Sequence, residues 1–145
     1  MKKLLLSIAL LLLTCCSNPK PSYQCEIREH DYDEIVDQII SWENIFSIKQ
    51  NDYYCYIFST RCSHCNNIKN LVIETALQMD NFYFVLFDST IPISGDVENT
   101  IGAMSCSDIS ILGTPTLLRI ENSTLTMNIA GEKQITEYLQ KPCNS

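Results

Sequence analysis

The pattern of apolar and polar positions first becomes periodic at Tyr32. From there, apolar side chains recur at i, i+3, i+4, i+7 and i+8, which is the stripe that an amphipathic helix buries. The residues of this stripe are Tyr32, Ile35, Val36, Ile39 and Ile40. Asp31 or Asp33 can cap the N-terminus of such a helix, because a short acidic side chain accepts hydrogen bonds from its first free N–H groups. We therefore predict a helix in this segment.

Residues 53–58 and 82–87 are instead unbroken apolar and aromatic runs. Such runs are typical of strands that are buried on both faces of a sheet. Between them, apolar side chains return to helical spacing and predict a helix that begins near Cys62 and stops near Asn81. The apolar positions of this helix are Ile68, Leu71, Val72, Ala76 and Met79.

The C-terminal half of the chain changes pattern again. Residues 94–111 predict one irregular helix within loops. Residues 116–120 and 125–129 then read as two strands, and the polar residues 121–124 between them predict a hairpin.

A short strand at 25–28 and a last helix between Gly131 and Pro142 complete the predicted elements. The inward positions of that helix are Ile135, Tyr138 and Leu139. The resulting order is β-α-β-α-β-α-β-β-α. Strands that alternate with helices are typical of a largely parallel sheet, and the closing hairpin makes the sheet mixed. We predict an α/β domain with a central mixed sheet of four to five strands and helices on both faces.

The N-terminal pattern predicts an export signal. Lys2 and Lys3 precede the apolar run 4–13, which is too short to span a bilayer and suits a signal peptide. The run ends in Leu13-Thr14-Cys15-Cys16, which resembles a bacterial lipobox and predicts lipid attachment at Cys16. The alternative is an ordinary secretory signal that is cut nearby. Either signal sends the protein out of the cytoplasm.

We accordingly divide the chain into a lipoprotein signal peptide (1–15), a tether (16–24) and one domain (25–145). The tether holds Asn18-Pro19-Lys20-Pro21-Ser22, which is expected to be stiff and solvated. The predicted location is extracytoplasmic, with a lipid anchor in the bacterial cell membrane.

Composition and charge narrow the class of protein. The 145 residues are 46% hydrophobic and 19% charged, which suffices for a folded core. The formal net charge of −7 becomes more negative once Lys2 and Lys3 leave with the signal peptide. An acidic surface argues against nucleic acid as a partner. We expect a monomer.

The cysteines supply the candidate chemistry. The chain has eight, and an exported chain of this size with so many indicates disulfides or redox chemistry. Cys62 and Cys65 lie where a buried strand gives way to a helix, whose N-terminus carries unpaired N–H groups and about half a positive charge. A thiolate is stabilised there, so we predict that Cys62 attacks and Cys65 resolves. His64 adds positive charge if protonated, or a hydrogen-bond donor if neutral.

Other interpretations of these residues exist. A C-x-x-C motif can be half of a zinc site, but such a site needs two more ligands and His30 is the only other histidine. We therefore expect no metal. A purely structural Cys62–Cys65 bridge would close so short a loop that it would gain little chain entropy. His64 could also be an idle surface residue.

Three segments together resemble the thioredoxin superfamily, and the resemblance covers roughly residues 25–141. They are the C-S-H-C segment 57–65, the Gly-Thr-Pro-Thr segment within 111–117, and Gly131 ahead of the last helix. The resemblance implies a thioredoxin-like fold in which Pro115 is cis and lies beside Cys62. It also implies that Thr114 offers its backbone to a bound substrate strand.

Three departures from the thioredoxin pattern bear on the direction of exchange. Arg61 replaces Trp, Ser63-His64 replaces Gly-Pro, and Tyr56 stands where many members bury an acid. Each favours the thiolate of Cys62, which exists only in the reduced form, so the disulfide becomes a better oxidant. Against this, the chain is short for an oxidase, and many lipid-anchored relatives are reductants. On balance the oxidant is favoured.

Four further cysteines remain in the predicted domain. In a thioredoxin-like layout Cys25 begins the first strand and Cys143 follows the last helix, so the resemblance favours a Cys25–Cys143 disulfide. Cys55 and Cys106 either face each other or are free buried thiols. The sequence itself allows every pairing of the four.

The leading functional hypothesis is an enzyme that exchanges disulfides with exported cysteine-containing proteins and needs no dissociable cofactor. Such an enzyme would also need a membrane redox partner. An accessory protein for the export or maturation of one dedicated client is an alternative within the same chemistry. A binding lipoprotein that kept the fold without the catalysis is an alternative of a different class.

Overall fold

The computed structural model describes residues 28–140. This part of the chain contains five strands and two α-helices: β1 (Ile39–Ile40), β2 (Asp52–Phe58), α1 (Ser63–Leu77), β3 (Phe82–Leu86), β4 (Thr116–Glu121), β5 (Thr124–Ala130) and α2 (Glu132–Leu139). Four 3₁₀ helices accompany them: Tyr32–Gln38, Trp42–Asn44, Glu98–Thr100 and Cys106–Asp108.

The strands form one mixed sheet in the order β1-β3-β2-β4-β5. β3 runs parallel to both β1 and β2, whereas β4 runs antiparallel to β2 and to β5. The two apolar runs of the sequence thus become neighbouring inner strands, which explains why neither shows a polar face. The predicted α/β class with a mixed sheet is confirmed.

The two faces of the sheet are covered differently. Tyr56 and Phe58 of β2 point to the face that is covered by α1, α2 and the first 3₁₀ helix. The alternate residues of the strand, such as Cys55 and Ile57, point to the other face, where 3₁₀ turns and loop segments supply the packing. Both α-helices therefore lie on one face of the sheet. Of the predicted helices on both faces, the described residues place only short 3₁₀ helices on the other.

Two predicted helices take other forms. The segment 94–111 contains two separate 3₁₀ turns instead of one irregular helix. The helix that starts at Tyr32 is a 3₁₀ helix that ends at Gln38, with non-helical backbone at Ile35 (φ −122°, ψ 17°). Ile39 and Ile40 leave it to pair with β3 as an edge strand. Two consecutive β-branched residues beside an open sheet edge are stabilised more by strand pairing with β3 than by a further helical turn.

The first 3₁₀ helix nevertheless starts where the sequence predicts. Asp31 caps it, and Glu34 reaches back to the Asp31 backbone to complete a capping box. Of its apolar stripe only Ile35 is buried, since Val36 is 56% exposed and Ile39 is 38% exposed. The helical periodicity was therefore misleading beyond the first two turns.

Several sequence predictions lie outside the described residues. They are the signal peptide, the lipidation site Cys16, the tether, residues 25–27 of the strand predicted at 25–28, and the proposed partners Cys25 and Cys143. No helix within residues 28–140 is both long enough and apolar enough to cross a membrane.

Candidate active site

The site is built where β2 ends and α1 begins. The backbone turns at Ser59, whose carbonyl accepts a hydrogen bond from the Cys62 N–H (3.1 Å). Cys62 is the N-cap of α1, with extended backbone dihedrals (φ −87°, ψ 115°). Its sulfur accepts a hydrogen bond from the Cys65 backbone N–H at 3.2 Å. Sulfur thus takes the position that an oxygen occupies in an ordinary helix cap.

This placement lowers the pKa of the Cys62 thiol below its usual range. Partial burial opposes the shift, but hydrogen bonds from the side chains of Cys65 and Thr114 and from the N–H groups of Cys65 and His64 outweigh it. Such donors bind the thiolate more strongly than the thiol. Cys62 is therefore the sulfur of the pair that ionises first.

Cys65 has the opposite environment one turn into the helix. Its side chain is fully buried among the aromatic residues beneath α1. Burial, together with the neighbouring Cys62, raises the pKa of the Cys65 thiol to about 11. The pair therefore consists of one reactive, partly exposed sulfur and one protected sulfur, both as free thiols.

The loop before β4 lies against the cysteine pair. The Thr114–Pro115 peptide bond is cis, and the Thr114 carbonyl accepts a hydrogen bond from the Cys62 sulfur at 3.4 Å. Two bonds hold the loop: the Thr116 hydroxyl donates to the Gly113 carbonyl (2.6 Å), and the Gly131 N–H donates to the Pro115 carbonyl (2.8 Å). The tertiary fold thus brings together Cys62, Thr114 and Pro115.

A surface cleft borders this loop. Its volume is about 160 Å³, and its wall includes Leu112, Thr114 and Pro115 on one side and Gly131 on the other. Leu112 is 55% exposed beside it. A backbone edge with an adjacent exposed apolar side chain is suited to an extended peptide, which bonds through its main chain and is selected through its side chains.

His64 projects away from the buried core and is 68% exposed. Its Nδ1 lies 2.9 Å from a carboxylate oxygen of Glu132, the first residue of α2. The Asn67 side chain donates to the same oxygen at 3.0 Å. These two bonds hold the pKa of the Glu132 carboxyl below its usual range. A carboxylate thus stands beside the imidazole of His64.

Glu132 is the site residue that the sequence analysis missed. It lies 68 residues from His64 along the chain. The only sequence signal is its position directly after Gly131, one of the three features on which the thioredoxin resemblance rests. Nothing in the spacing indicates which side chain of α2 reaches the C-S-H-C motif.

Two tyrosines lie beneath the pair. Tyr56 is fully buried, and the ring of Tyr32 stacks on Phe58 with 4.4 Å between the ring centroids. Neither tyrosine hydroxyl has a hydrogen-bond partner within the part of the chain that the structure describes. The residue at position 56, beneath Cys65, is thus a phenol and not a carboxylate.

The other two described cysteines are remote from this chemistry. Cys55 is buried on the opposite face of the sheet, and Cys106 packs partly buried against the same apolar cluster. Both are free thiols, and burial alone strongly raises the pKa of Cys55. Within residues 28–140, no group of three or more His, Cys, Asp or Glu side chains is arranged to hold a metal ion.

Comparison with known proteins gives structural similarity alone. No family model matches the chain, and no curated protein matches it significantly. Among solved structures it is similar to a thioredoxin of Schistosoma mansoni, with 19% identity, a TM-score of 0.46, and coverage of 72% of this chain and 94% of that one. The Plasmodium falciparum thioredoxin is similar too, with 17% identity, a TM-score of 0.45, and coverage of 72% of this chain and 97% of that one. For thioredoxin f of spinach chloroplast the identity is 13%, the TM-score is 0.46, and the coverage is 73% of this chain and 87% of that one. Identities this low carry no activity from those proteins to this chain.

Proposed function

We propose that the protein is a thiol–disulfide oxidoreductase that works through Cys62 and Cys65. The observation that supports this most strongly is the difference between the two sulfurs. A thiol with a lowered pKa at a helix N-terminus is a nucleophile, and a buried thiol one turn away can reach the mixed disulfide that the nucleophile forms.

The proposed exchange has two steps when the protein acts as a reductant. The Cys62 thiolate attacks one sulfur of a substrate disulfide, so that a Cys62–substrate bond forms and the second substrate sulfur leaves as a thiolate. Cys65 then loses its proton to solvent and attacks the Cys62 sulfur. The Cys62–Cys65 disulfide forms, and the first substrate sulfur leaves with its electron pair. The substrate gains two electrons, and the same steps in reverse oxidise a dithiol.

We further propose that the substrate segment lies extended across the Thr114–Pro115 loop. The cleft there, and the carbonyl that contacts the Cys62 sulfur, support this placement. A strand laid along the loop would present its disulfide to Cys62 from the exposed side, while Cys65 stays covered.

The direct test is turnover by the mature chain, measured as insulin reduction with a dithiol supply. Cys62→Ser should abolish turnover, whereas Cys65→Ser should accumulate a mixed disulfide that a non-reducing gel detects. Cys106→Ser is the matched control, because this thiol lies on the opposite face of the sheet, and turnover should persist. Absence of turnover by the unaltered chain would support a non-catalytic binding protein instead.

The direction of exchange is a second part of the proposal. We propose a couple more oxidising than roughly −270 mV, the value of thioredoxin. The lowered pKa of Cys62 supports it, as does Tyr56 in place of an acid, while Glu132 beside His64 works against it. Titration against glutathione measures the potential, and a value below that of thioredoxin would remove the oxidant assignment. His64→Pro should lower the potential if His64 contributes to it.

The setting of the reaction is proposed from the N-terminal sequence. We propose that the protein is anchored through a diacylglyceryl group on Cys16 and exchanges disulfides with exported cysteine-containing proteins, with a membrane redox partner that resets the pair. Mass spectrometry of the mature N-terminus tests the anchor. An unmodified protein in the culture supernatant would contradict it.

A further inference from the structure

The hydroxyl of Tyr56 is a polar group in an apolar place. Tyr56 is fully buried under α1, in the same cluster as Cys65. Its ring stacks on Phe58 (6.2 Å between centroids) and meets Phe84 edge-on (5.8 Å), so the surroundings hold it in one orientation. These neighbours would pack against a phenylalanine equally well.

In the reduced protein, that hydroxyl makes no hydrogen bond of ordinary geometry with any of residues 28–140. The polar group that it faces most closely in electrostatic terms is the Cys65 side chain. A buried hydroxyl without a partner costs free energy that phenylalanine, with the same ring, would avoid. An unsatisfied donor at such a place is most simply explained by an acceptor that exists only in another state of the site.

Tyr53 shows that this chain does satisfy a buried tyrosine elsewhere. Tyr53 lies on the same strand with its side chain on the opposite face, and its hydroxyl donates to the Ile45 carbonyl at 2.7 Å. The two tyrosines are equally buried, at 1% and 0% exposure. They differ in that Tyr53 faces a permanent acceptor, whereas Tyr56 faces the cysteine pair.

Cys65 is the group that can become the missing acceptor. Burial is the main cause that raises the pKa of Tyr56, and the charge of the Cys65 thiolate is the next, ahead of Tyr32 and Cys62. Direct contact between the hydroxyl and the Cys65 side chain raises this pKa further. Cys65 is a poor acceptor as a thiol, but a thiolate is a strong one. Because its pKa is raised to about 11, only a very small fraction of Cys65 is thiolate near neutral pH.

We propose that the Tyr56 hydroxyl donates a hydrogen bond to the Cys65 sulfur whenever that sulfur carries negative charge, and thereby accelerates the resolving step. This inference rests on the proposed exchange through Cys62 and Cys65. As the Cys65 proton leaves to solvent, Tyr56 stabilises the thiolate that attacks Cys62. In the reverse direction, Tyr56 stabilises Cys65 as the leaving thiolate when a substrate thiolate attacks Cys62. Tyr56 keeps its own proton throughout, because burial holds its pKa far above that of an exposed phenol.

The structure distinguishes this role from that of an acid–base relay. A buried carboxylate would remove the Cys65 proton, whereas a phenol that stays protonated only stabilises the charge. Since Cys65 is protonated in the resting reduced form, loss of the hydroxyl should slow exchange while it leaves the reduction potential near neutral pH almost unchanged.

The test compares Tyr56→Phe with Tyr53→Phe in the mature chain. The Cys62 sulfur is first converted to the mixed disulfide with glutathione, and release of glutathione then measures the resolving step. We expect Tyr56→Phe to slow release by about tenfold or more, the usual loss when a charged group forfeits one hydrogen bond. Tyr53→Phe should be less stable than the unaltered chain, since it loses a satisfied bond, but should release glutathione at the normal rate.

A second measurement needs no turnover. In a Cys62→Ser background, the ¹³Cβ shift of Cys65 reports its ionisation, and its pH midpoint should rise further when Tyr56→Phe is added but not when Tyr53→Phe is added. If the unaltered chain exchanges no disulfides but this difference in midpoint is found, the proposed function fails and the contact stands. Equal release rates and equal midpoints in the two tyrosine variants would overturn the inference about Tyr56.

Discussion

The two faces of the sheet carry cysteines of opposite character. On the helix-covered face, the Cys62 sulfur receives hydrogen bonds from backbone N–H groups at the start of α1, and its pKa falls. On the loop-covered face, Cys55 is fully buried, and burial alone raises its pKa strongly. The reactivity of a cysteine in this protein thus depends on whether free backbone donors converge on the sulfur.

The largest expected difference between the faces is the rate of alkylation. At neutral pH, iodoacetamide should modify Cys62 at least about a hundredfold faster than Cys55, because only the thiolate reacts and only one of the sulfurs is accessible. The rate at Cys62 should fall as the pH drops through its lowered pKa, since protonation removes the thiolate. Peptide mapping after timed quenching measures both rates. Comparable rates at the two sulfurs would contradict the electrostatic difference described above.

The free energy of unfolding should depend more on Cys55 than on Cys62, the opposite of the order expected for alkylation. Cys55→Ala removes a buried sulfur from a packed cluster and should lower the free energy of unfolding by about 1–2 kcal/mol, with normal turnover. Cys62→Ala removes a partly exposed sulfur and should cost less stability while it abolishes turnover. Urea unfolding of the two variants checks this. A larger loss for Cys62→Ala would show that its cap also supports α1.

The packing of the helix-covered face can be tested at Phe58. This residue is buried between Tyr32 and the rings of β2 and β3. Phe58→Leu keeps an apolar side chain but loses the aromatic stacking, and should lower the free energy of unfolding by roughly 1 kcal/mol. The matched change on the other face is Ile57→Val, which also costs roughly 1 kcal/mol. Insulin turnover should fall only for Phe58→Leu, because only that residue packs with Cys65.

The smallest expected effect concerns Glu132. Glu132→Gln removes a negative charge beside His64 and should favour the Cys62 thiolate, which raises the reduction potential. The pair is exposed to solvent, so we expect about a twofold change in the equilibrium constant with glutathione, roughly 10 mV. Glu137→Gln is the matched control on the same helix, since it pairs with Lys133 and not with the site. Equal potentials for both variants would show that the His64 pair does not tune the couple.

The fold class could be predicted because its signals are local. The runs at 53–58 and 82–87 are apolar or aromatic at every position, which is typical of a strand buried on both faces, and they form the inner strands β2 and β3. The hairpin between β4 and β5 turns at Asn122 and Ser123, which both adopt positive φ (49° and 60°), as a two-residue hairpin requires. The helix at 32–40 could not be predicted correctly, because an isoleucine pair fits a helical stripe and an edge strand equally well until β3 provides the edge.

The sequence by itself determined which residues could carry chemistry, because the motif around Cys62 and Cys65 and the start of α1 lie within a few residues of one another. Only the tertiary structure decided what surrounds them. Glu132 meets His64, and Tyr56 lies beneath Cys65, because a helix and a strand distant in sequence pack against α1. Hydrogen bonds and burial set the two thiol pKa values, and both depend on neighbours that sequence spacing does not specify.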